Sequence, residues 1–342
     1  MKKIVGLICL FVVVLLAGCK SRDIVNLKVY NWGDYIDKSV IKSFEREYNV
    51  KVVYDEFSTN EDMYAKLKAG GIKYDIVIPS EYMAEKLANE GMLAQIDFDK
   101  VENFKYVQER FKDSKYNRVM GYSVPYMWGT VGIIYNKEIV KENVDSWSIL
   151  WNNRYKKQIL MLDSQRDSVG ITLKYLGYSS NSVDPNELAL AKEKLIEQKP
   201  LVLSYVNEEV KDILIGNEAA LAVVWSGDAS YMEKHNPNLS YVVPKEGSNI
   251  WVDYMVIPKD SKNKDMAMKF INYMLKPEVA YKNCDYTGYL TPHKDVMDAL
   301  KEEDANALEY PTDEEIERLE VFEDLGKEIS KYDRIWTEVK ST

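Results

Sequence analysis

The sequence is poor in the residues that most chemistry uses. Its 342 residues hold two histidines, His235 and His293, and three cysteines, Cys9, Cys19 and Cys284. Two histidines leave little room for a histidine-based metal centre or a Ser-His-Asp relay. Two of the cysteines fall in the first twenty residues, so Cys284 stands alone in the body of the chain and no disulfide can brace that body. A chain of roughly 300 residues buries enough apolar surface to fold without one. Beyond the N-terminus, no apolar run approaches the length that spans a bilayer. Positive charge is also in deficit, with 45 Lys and Arg against 55 Asp and Glu, a net charge of −10. That balance argues against a nucleic-acid partner and only weakly for a cationic one, since acidic surfaces also serve solubility.

What is present begins at the N-terminus. Lys2 and Lys3 precede an apolar run from Ile4 to Ala17, and Leu16-Ala17-Gly18-Cys19 closes it. A basic flank and a short apolar core make an export signal rather than a membrane span. The closing residues resemble the lipobox of bacterial lipoproteins. That resemblance implies cleavage after residue 18, a diacylglycerol on the Cys19 sulfur, a short tether over 19–26 and an extracytoplasmic, membrane-anchored protein. An ordinary signal peptide that happens to contain Cys is the alternative.

The body of the chain alternates strand and helix patterns. Asn26 to Asn31 and Val50 to Phe57 read as strands, and Lys38 to Tyr48 has apolar residues at helical spacing. Asn60 to Ala69 reads as a helix capped by Thr59 or Asn60, and Tyr74 to Ile78 as a strand broken by Pro79. Ser80 then stands where a cap belongs, before a helix over Tyr82 to Asn89. This order predicts parallel strands with crossover helices. Further on, Thr130 to Tyr135, Ala219 to Trp225 and Ile250 to Ile257 read as strands. Asp184-Pro185 starts a helix, Pro277 stops one over Asp265 to Leu275, and Thr312 with Glu315 forms a capping box before a C-terminal helix. Two α/β lobes account for this order.

Ligands of open α/β sheets bind beyond the carboxyl ends of strands. Those ends carry Trp32, Asp34 and Tyr35; Ser80 and Tyr82; and Trp225 with Asp228. In the strand at 250–257, Trp251 and Asp253 are two apart and share a face. Aromatic rings paired with carboxylates suit an organic cation. An ammonium leaves water only where carboxylates and hydroxyls replace its hydration shell. Indole faces add about 0.5–2 kcal/mol each, and flat rings suit methylene chains. Each tryptophan could equally be core, and Ser80 or Asp228 could be only a helix cap. Asp253 is the hardest to dismiss, because a carboxylate in an apolar strand is costly unless it is used. Sugar sites, including those of glycosidases, draw on the same side chains. No Arg lies at any of these strand ends, so an amino-acid carboxylate would find no partner there.

The chain also resembles the bacterial spermidine/putrescine-binding proteins of ABC polyamine transporters. The resemblance rests on Tyr30-Asn31-Trp32 with Asp34-Tyr35, on Ser58-Asn60-Glu61 with Met63-Tyr64-Ala65-Lys66-Leu67, and on Tyr74-Asp75 leading to Val77-Ile78-Pro79-Ser80. It continues through Pro125-Tyr126-Met127-Trp128-Gly129, Ser146-Trp147, Leu176-Gly177-Tyr178-Ser179, Pro244-Lys245-Glu246-Gly247, and Gly288-Tyr289 with Thr291-Pro292. It implies the two-lobed type II periplasmic-binding-protein fold, with mixed sheets flanked by helices and a ligand cleft between the lobes. Residues 27–129 with about 253–300 would form one lobe, and about 134–249 with 305–342 the other. Residues 130–133 and 250–252 would cross between them.

Carried over residue by residue, the resemblance makes Trp32, Trp225 and Trp251 an aromatic box, with Tyr35, Tyr82 and Tyr289 adding edges and hydroxyls. Ser80 would accept from an ammonium, Asp253 would be the principal carboxylate, and Asp167 would meet an amine. Asp34 would be acidic beside the first Trp, and Asp228 matches an Asp of putrescine-type members. Ser164 and Phe322 depart from the spermidine-type pattern, and Gly33 stands where members usually have Ser or Thr; the loss at Ser164 with the gain at Asp228 favours putrescine slightly. The implied protein is a monomer that takes no cofactor or metal, catalyses nothing and hands its ligand to permease subunits.

Overall fold

The computed structural model describes residues 24–303 and 310–342. The signal segment and Cys19 lie outside the described residues. In chain order the regular elements are β1 (Asn26–Trp32), α1 (Lys38–Tyr48), β2 (Lys51–Phe57), α2 (Asn60–Ala69), β3 (Ile76–Val77) and α3 (Glu81–Asn89). Then come β4 (Ser123–Asn136), β5 (Ile159–Leu162), α4 (Gln165–Tyr175), α5 (Pro185–Gln198), β6 (Val202–Val206), α6 (Val210–Ile215), β7 (Leu221–Trp225) and α7 (Ser226–His235). The chain finishes with β8 (Leu239–Val242), β9 (Ile250–Val256), α8 (Lys264–Met274), α9 (Pro277–Thr287), α10 (Lys294–Glu303), α11 (Asp313–Glu317) and α12 (Ile329–Ser341).

Local chemistry explains most boundaries. Asp37 accepts from Ser39 N at 2.7 Å to start α1, which buries Val40 and Phe44 and ends at Asn49 in the left-handed region, φ 50°. Thr59, not Asn60, caps α2 by accepting from Asp62 N. Asp184 caps α5 with Pro185 at its first position, and the Thr312–Glu315 capping box is present. Two expectations change. Pro277 follows the end of α8 but also opens α9, where its missing N–H costs nothing. The capping box begins only the five-residue α11, and the long C-terminal helix is a separate element, α12.

The nine strands of the described residues form one curved path, β2-β1-β3-β9-β4-β7-β5-β6, with β8 also on β4. β1 pairs in parallel with β2 and β3, as the strand–helix alternation predicts. The neighbours of β4 and β9 are antiparallel, so the sheet is mixed. The fourteen-residue β4 organises the whole. Its first part, Ser123 to Thr130, pairs with β9, and its second, Val131 to Asn136, pairs with β7 and β8. One strand thus passes from one half-sheet to the other, changing partners at Thr130 and Val131. There Val131 N donates to Asn249 O at 3.1 Å and the Ser248 hydroxyl to Val131 O at 2.6 Å, so the start of β9 is tied to the same point.

Trp128 links this strand to the loop after α9. It is fully buried, its N–H donates to Leu290 O and its indole Nε1 to Thr291 O at 3.2 Å. Trp128→Ala is expected to cost about 3–5 kcal/mol of stability by opening a cavity. Urea unfolding followed by circular dichroism measures that loss.

Candidate functional site

β9 is buried on both faces, and Asp253 is the carboxylate in it. A carboxylate in an apolar strand must be answered by neighbours. Its neighbours are the hydroxyls of Tyr35, just after β1, and Ser80, just before α3. Ser80 has the extended backbone of a helix cap, φ −73° and ψ 166°, but makes no side-chain cap bond. It forms a bridge to Asp253 instead, where β3 gives out beside β9. Burial nonetheless dominates and pushes the Asp253 carboxyl up to about 7, against the pull of Tyr35 and Ser80. Its Oδ1 and the Tyr35 hydroxyl are buried with no completed hydrogen bond.

The aromatic side of the site forms around Tyr289. Its ring meets Tyr35 edge-on at 5.5 Å and Trp251 edge-on at 5.1 Å. It packs against the first turn of α7, where a β-carbon on Gly227 would stand 2.1 Å from the Tyr289 ring. A β-carbon on Gly129 would likewise stand 2.6 Å from the Trp251 ring. Both aromatics therefore rest on bare backbone. The Tyr289 hydroxyl faces Asp228. Asp228 is raised by burial and held back by Lys211, whose Nζ is 3.5 Å away.

A second acidic region surrounds the start of α4. Ser164 caps that helix, and its hydroxyl donates to Asp167 Oδ2 at 2.6 Å. Burial raises Asp167 to about 6. Next to it, Arg166 is only 2% exposed. Its guanidinium lies 4.5 Å from the Phe322 ring centre, 5.1 Å from that of Tyr332 and 5.6 Å from that of Tyr82. Nη2 donates to Asn181 Oδ1 at 2.7 Å, while Nε and Nη1 have no partner. Arg166 is not at any of the strand ends named from the sequence; it follows β5, which at four residues is too short to stand out in the sequence. Tyr82 reaches this region from α3, accepting from Asn60 Nδ2 at 3.0 Å, donating to Glu61 Oε1 at 3.1 Å and standing edge-on to Phe322.

Of the remaining expected residues, Asp34 acts through its charge on Lys211, the partner of Asp228. Trp32 is half-buried and tilts against Phe57 at 4.5 Å, with its Nε1 unpartnered. Asp34 is exposed in a left-handed turn, φ 47°, beside Gly33, where Glu208 Oε1 approaches from the α6 side. Trp225 is half-buried at the end of β7, opposite Val131. Among the described residues no ring contact joins Trp32 or Trp225 to Trp251. The structure therefore brings together Tyr35, Ser80, Trp251, Asp253, Tyr289 and Asp228, and separately Tyr82 and Asp167. Sequence reasoning missed Glu81, Arg166 and Lys211. An acidic first helical residue is ordinarily solvated, so nothing local marks Glu81 as buried. Among the described residues no group of His, Cys, Asp and Glu could hold a metal ion, and no helix is long and apolar enough to cross a membrane.

The architecture is shared with known proteins. The family model for bacterial extracellular solute-binding proteins matches residues 39–312. The chain belongs to this family. Like its other members, this solute-binding protein is a two-lobed type II structure, and the family places it outside the cytoplasm. It is 33% identical to the spermidine/putrescine-binding periplasmic protein of Escherichia coli, over 95% of this chain and 94% of that one. Among solved structures it resembles the spermidine/putrescine ABC transporter substrate-binding protein PotD of Streptococcus pneumoniae, with 42% identity and a TM-score of 0.81 over 93% of this chain and 99% of that chain. It also resembles the TpPotD lipoprotein of Treponema pallidum, with 29% identity and a TM-score of 0.82 over 92% and 99% of the two chains.

Burial raises the Asp253, Asp167 and Glu81 carboxyls above the ordinary range of exposed carboxylates. The folded, ligand-free protein therefore keeps protons that the unfolded chain has released. From about pH 4 to about pH 8 its stability should fall as pH rises. Asp253→Asn should flatten that fall and stabilise the ligand-free protein near pH 8 by on the order of 1–4 kcal/mol. Urea unfolding near pH 5 and near pH 8 measures both effects.

Proposed function

We propose that this solute-binding protein captures a linear polyamine, putrescine or spermidine, in the cleft between its lobes and delivers it to an ABC importer. The observation that carries the reading is Asp253: a buried, half-satisfied carboxylate walled by Trp251, Tyr289 and Tyr35, with Ser80 beside it. An alkylammonium supplies what that carboxylate lacks, and the edge-on rings pack its methylenes. We assign Trp32, Asp34 and Trp225 to the rim and Tyr82 and Asp167 to the far end. The chemistry is binding, not turnover.

Asp228 and Ser164 are the residues that favour putrescine. Lys211 already shares the charge of Asp228, so the preference for the diamine is expected to be small. The lobes are taken as residues 27–129 with about 253–300, and about 134–249 with 305–342, hinged where β4 and β9 cross at 130–133 and 250–252. Ligand enters an open form, and closure brings Tyr289 onto Gly227. We further infer that the mature protein is a monomer held to the membrane by lipid on Cys19, as its Treponema pallidum relative is itself a lipoprotein.

Thermal-shift measurements test this reading. Putrescine and spermidine should each raise the melting temperature, while choline and oligosaccharides should not. Trp251→Ala and Asp253→Asn should each abolish the polyamine shift and leave a folded protein. A shift with a sugar alone, or unchanged binding in both variants, would remove the assignment.

A further inference from the structure

Glu81 is the first residue of α3, a position where a carboxylate normally points to water and the helix dipole favours its charge. Here it is 6% exposed. The reason is the early end of β3. With two residues, β3 leaves the flank of β9 open beyond Tyr254, whose N–H donates to Pro79 O. Ser80 bridges Asp253, and Glu81 Oε2 accepts from Val252 N at 3.0 Å, completing the ladder with a side chain. A neutral amide or hydroxyl would do that much. The other oxygen, Oε1, is buried with no partner.

The groups acting on Glu81 come from two directions. Asp253 and Tyr254 act from β9, and Arg166 and Asp167 from the start of α4. Glu61 of α2 stands behind Tyr82 and acts on Asp167 and Arg166. Glu81 thus lies between the two acidic regions, with Arg166 as the cation within their reach. Arg166 gives its one side-chain bond to Asn181. Burial, with Asp253 and Asp167 adding repulsion against the Val252 bond, raises the Glu81 carboxyl to about 8. In this closed, ligand-free arrangement the uncharged acid is favoured at neutral pH.

We propose that Glu81 is an ammonium-binding carboxylate of the cleft that gives up a proton when a polyamine enters. The inference rests on the polyamine reading and adds a residue to it. The step balances simply: the Glu81 O–H bond breaks, the proton passes to solvent buffer, and Oε1 accepts an N–H of the incoming ammonium. A polyamine carries more than one ammonium, so one charge can meet Asp253 while another ionises Glu81. A monoamine is expected to occupy Asp253 alone.

The test is calorimetric titration with putrescine and with spermidine near pH 7 in buffers of different ionisation enthalpy, on wild type and Glu81→Gln. Gln can keep the bond to Val252 N but cannot ionise. The variant is expected to release about one proton fewer per ligand bound and to bind roughly ten- to hundredfold more weakly, as for loss of a charge-assisted hydrogen bond. Proton release equal to wild type overturns the proposal. Carbon-13 NMR of the Glu81 carboxyl in the wild-type protein answers the same question should the variant fail to fold. Its signal should move from the acid to the carboxylate position on adding putrescine. Polyamine binding with an unmoved Glu81 signal sinks this assignment alone, whereas absence of any polyamine binding to wild type sinks the functional reading beneath it.

Discussion

Asp253 is costly to ionise where it sits, and burial pushes its carboxyl up to about 7. Its strand is apolar on both faces, and two hydroxyls do not offset the hydration it has lost. Much of the cleft follows from that deficit. Tyr35 and Ser80 are aimed at it, and Trp251 and Tyr289 close over it on backbone stripped of side chains at Gly129 and Gly227. A binding protein gains from such an arrangement. The desolvation cost is met during folding, so an entering cation recovers it as affinity. Well-packed surroundings hold the acid in place while it waits.

The long strand β4 makes the deficit addressable. Because its partners change at Thr130 and Val131, the two half-sheets share one continuous backbone but few crossing hydrogen bonds. Side chains from both halves then meet across that line. Tyr289 on Gly227 is one such meeting, Tyr82 against Phe322 another. Further contacts of the same kind lie at the edge, where Asp324 N donates to Glu85 Oε2 and Arg118 pairs with Glu323. These edge contacts are polar and partly exposed, so each holds the halves together weakly. One large apolar cluster runs through both half-sheets, and a smaller one packs α12 on α4 and α5.

Much of the fold could be read in advance because its signals are local. The helix at Lys38–Tyr48, the Asp184-Pro185 start and the Thr312–Glu315 box all depend on neighbours within one turn. The parallel start of the sheet follows from the order of elements. The short pieces were less legible. β3 reads in the sequence as a longer strand, Tyr74 to Ile78, and its early end does not show; four-residue β5 is too brief to show a period, and with these went the surroundings of Glu81 and Arg166. The candidate site divides the same way. Trp251 and Asp253 share a face because they are two apart in a strand, whereas the meeting of Trp251 with Tyr289 is a matter of packing.

The sequence by itself determined the class of the protein and the stock of side chains for an organic cation. Residue type, helical and strand periodicity and family motifs are all written along the chain. Only the tertiary structure decided which acids are left without a counter-charge. Lys211 answers Asp228, while Asp253 and Glu81 are left with an unpaired oxygen each. The reason is physical: the energy of a carboxylate depends on burial and on charges brought near by distant segments, and neither has a fixed spacing in sequence.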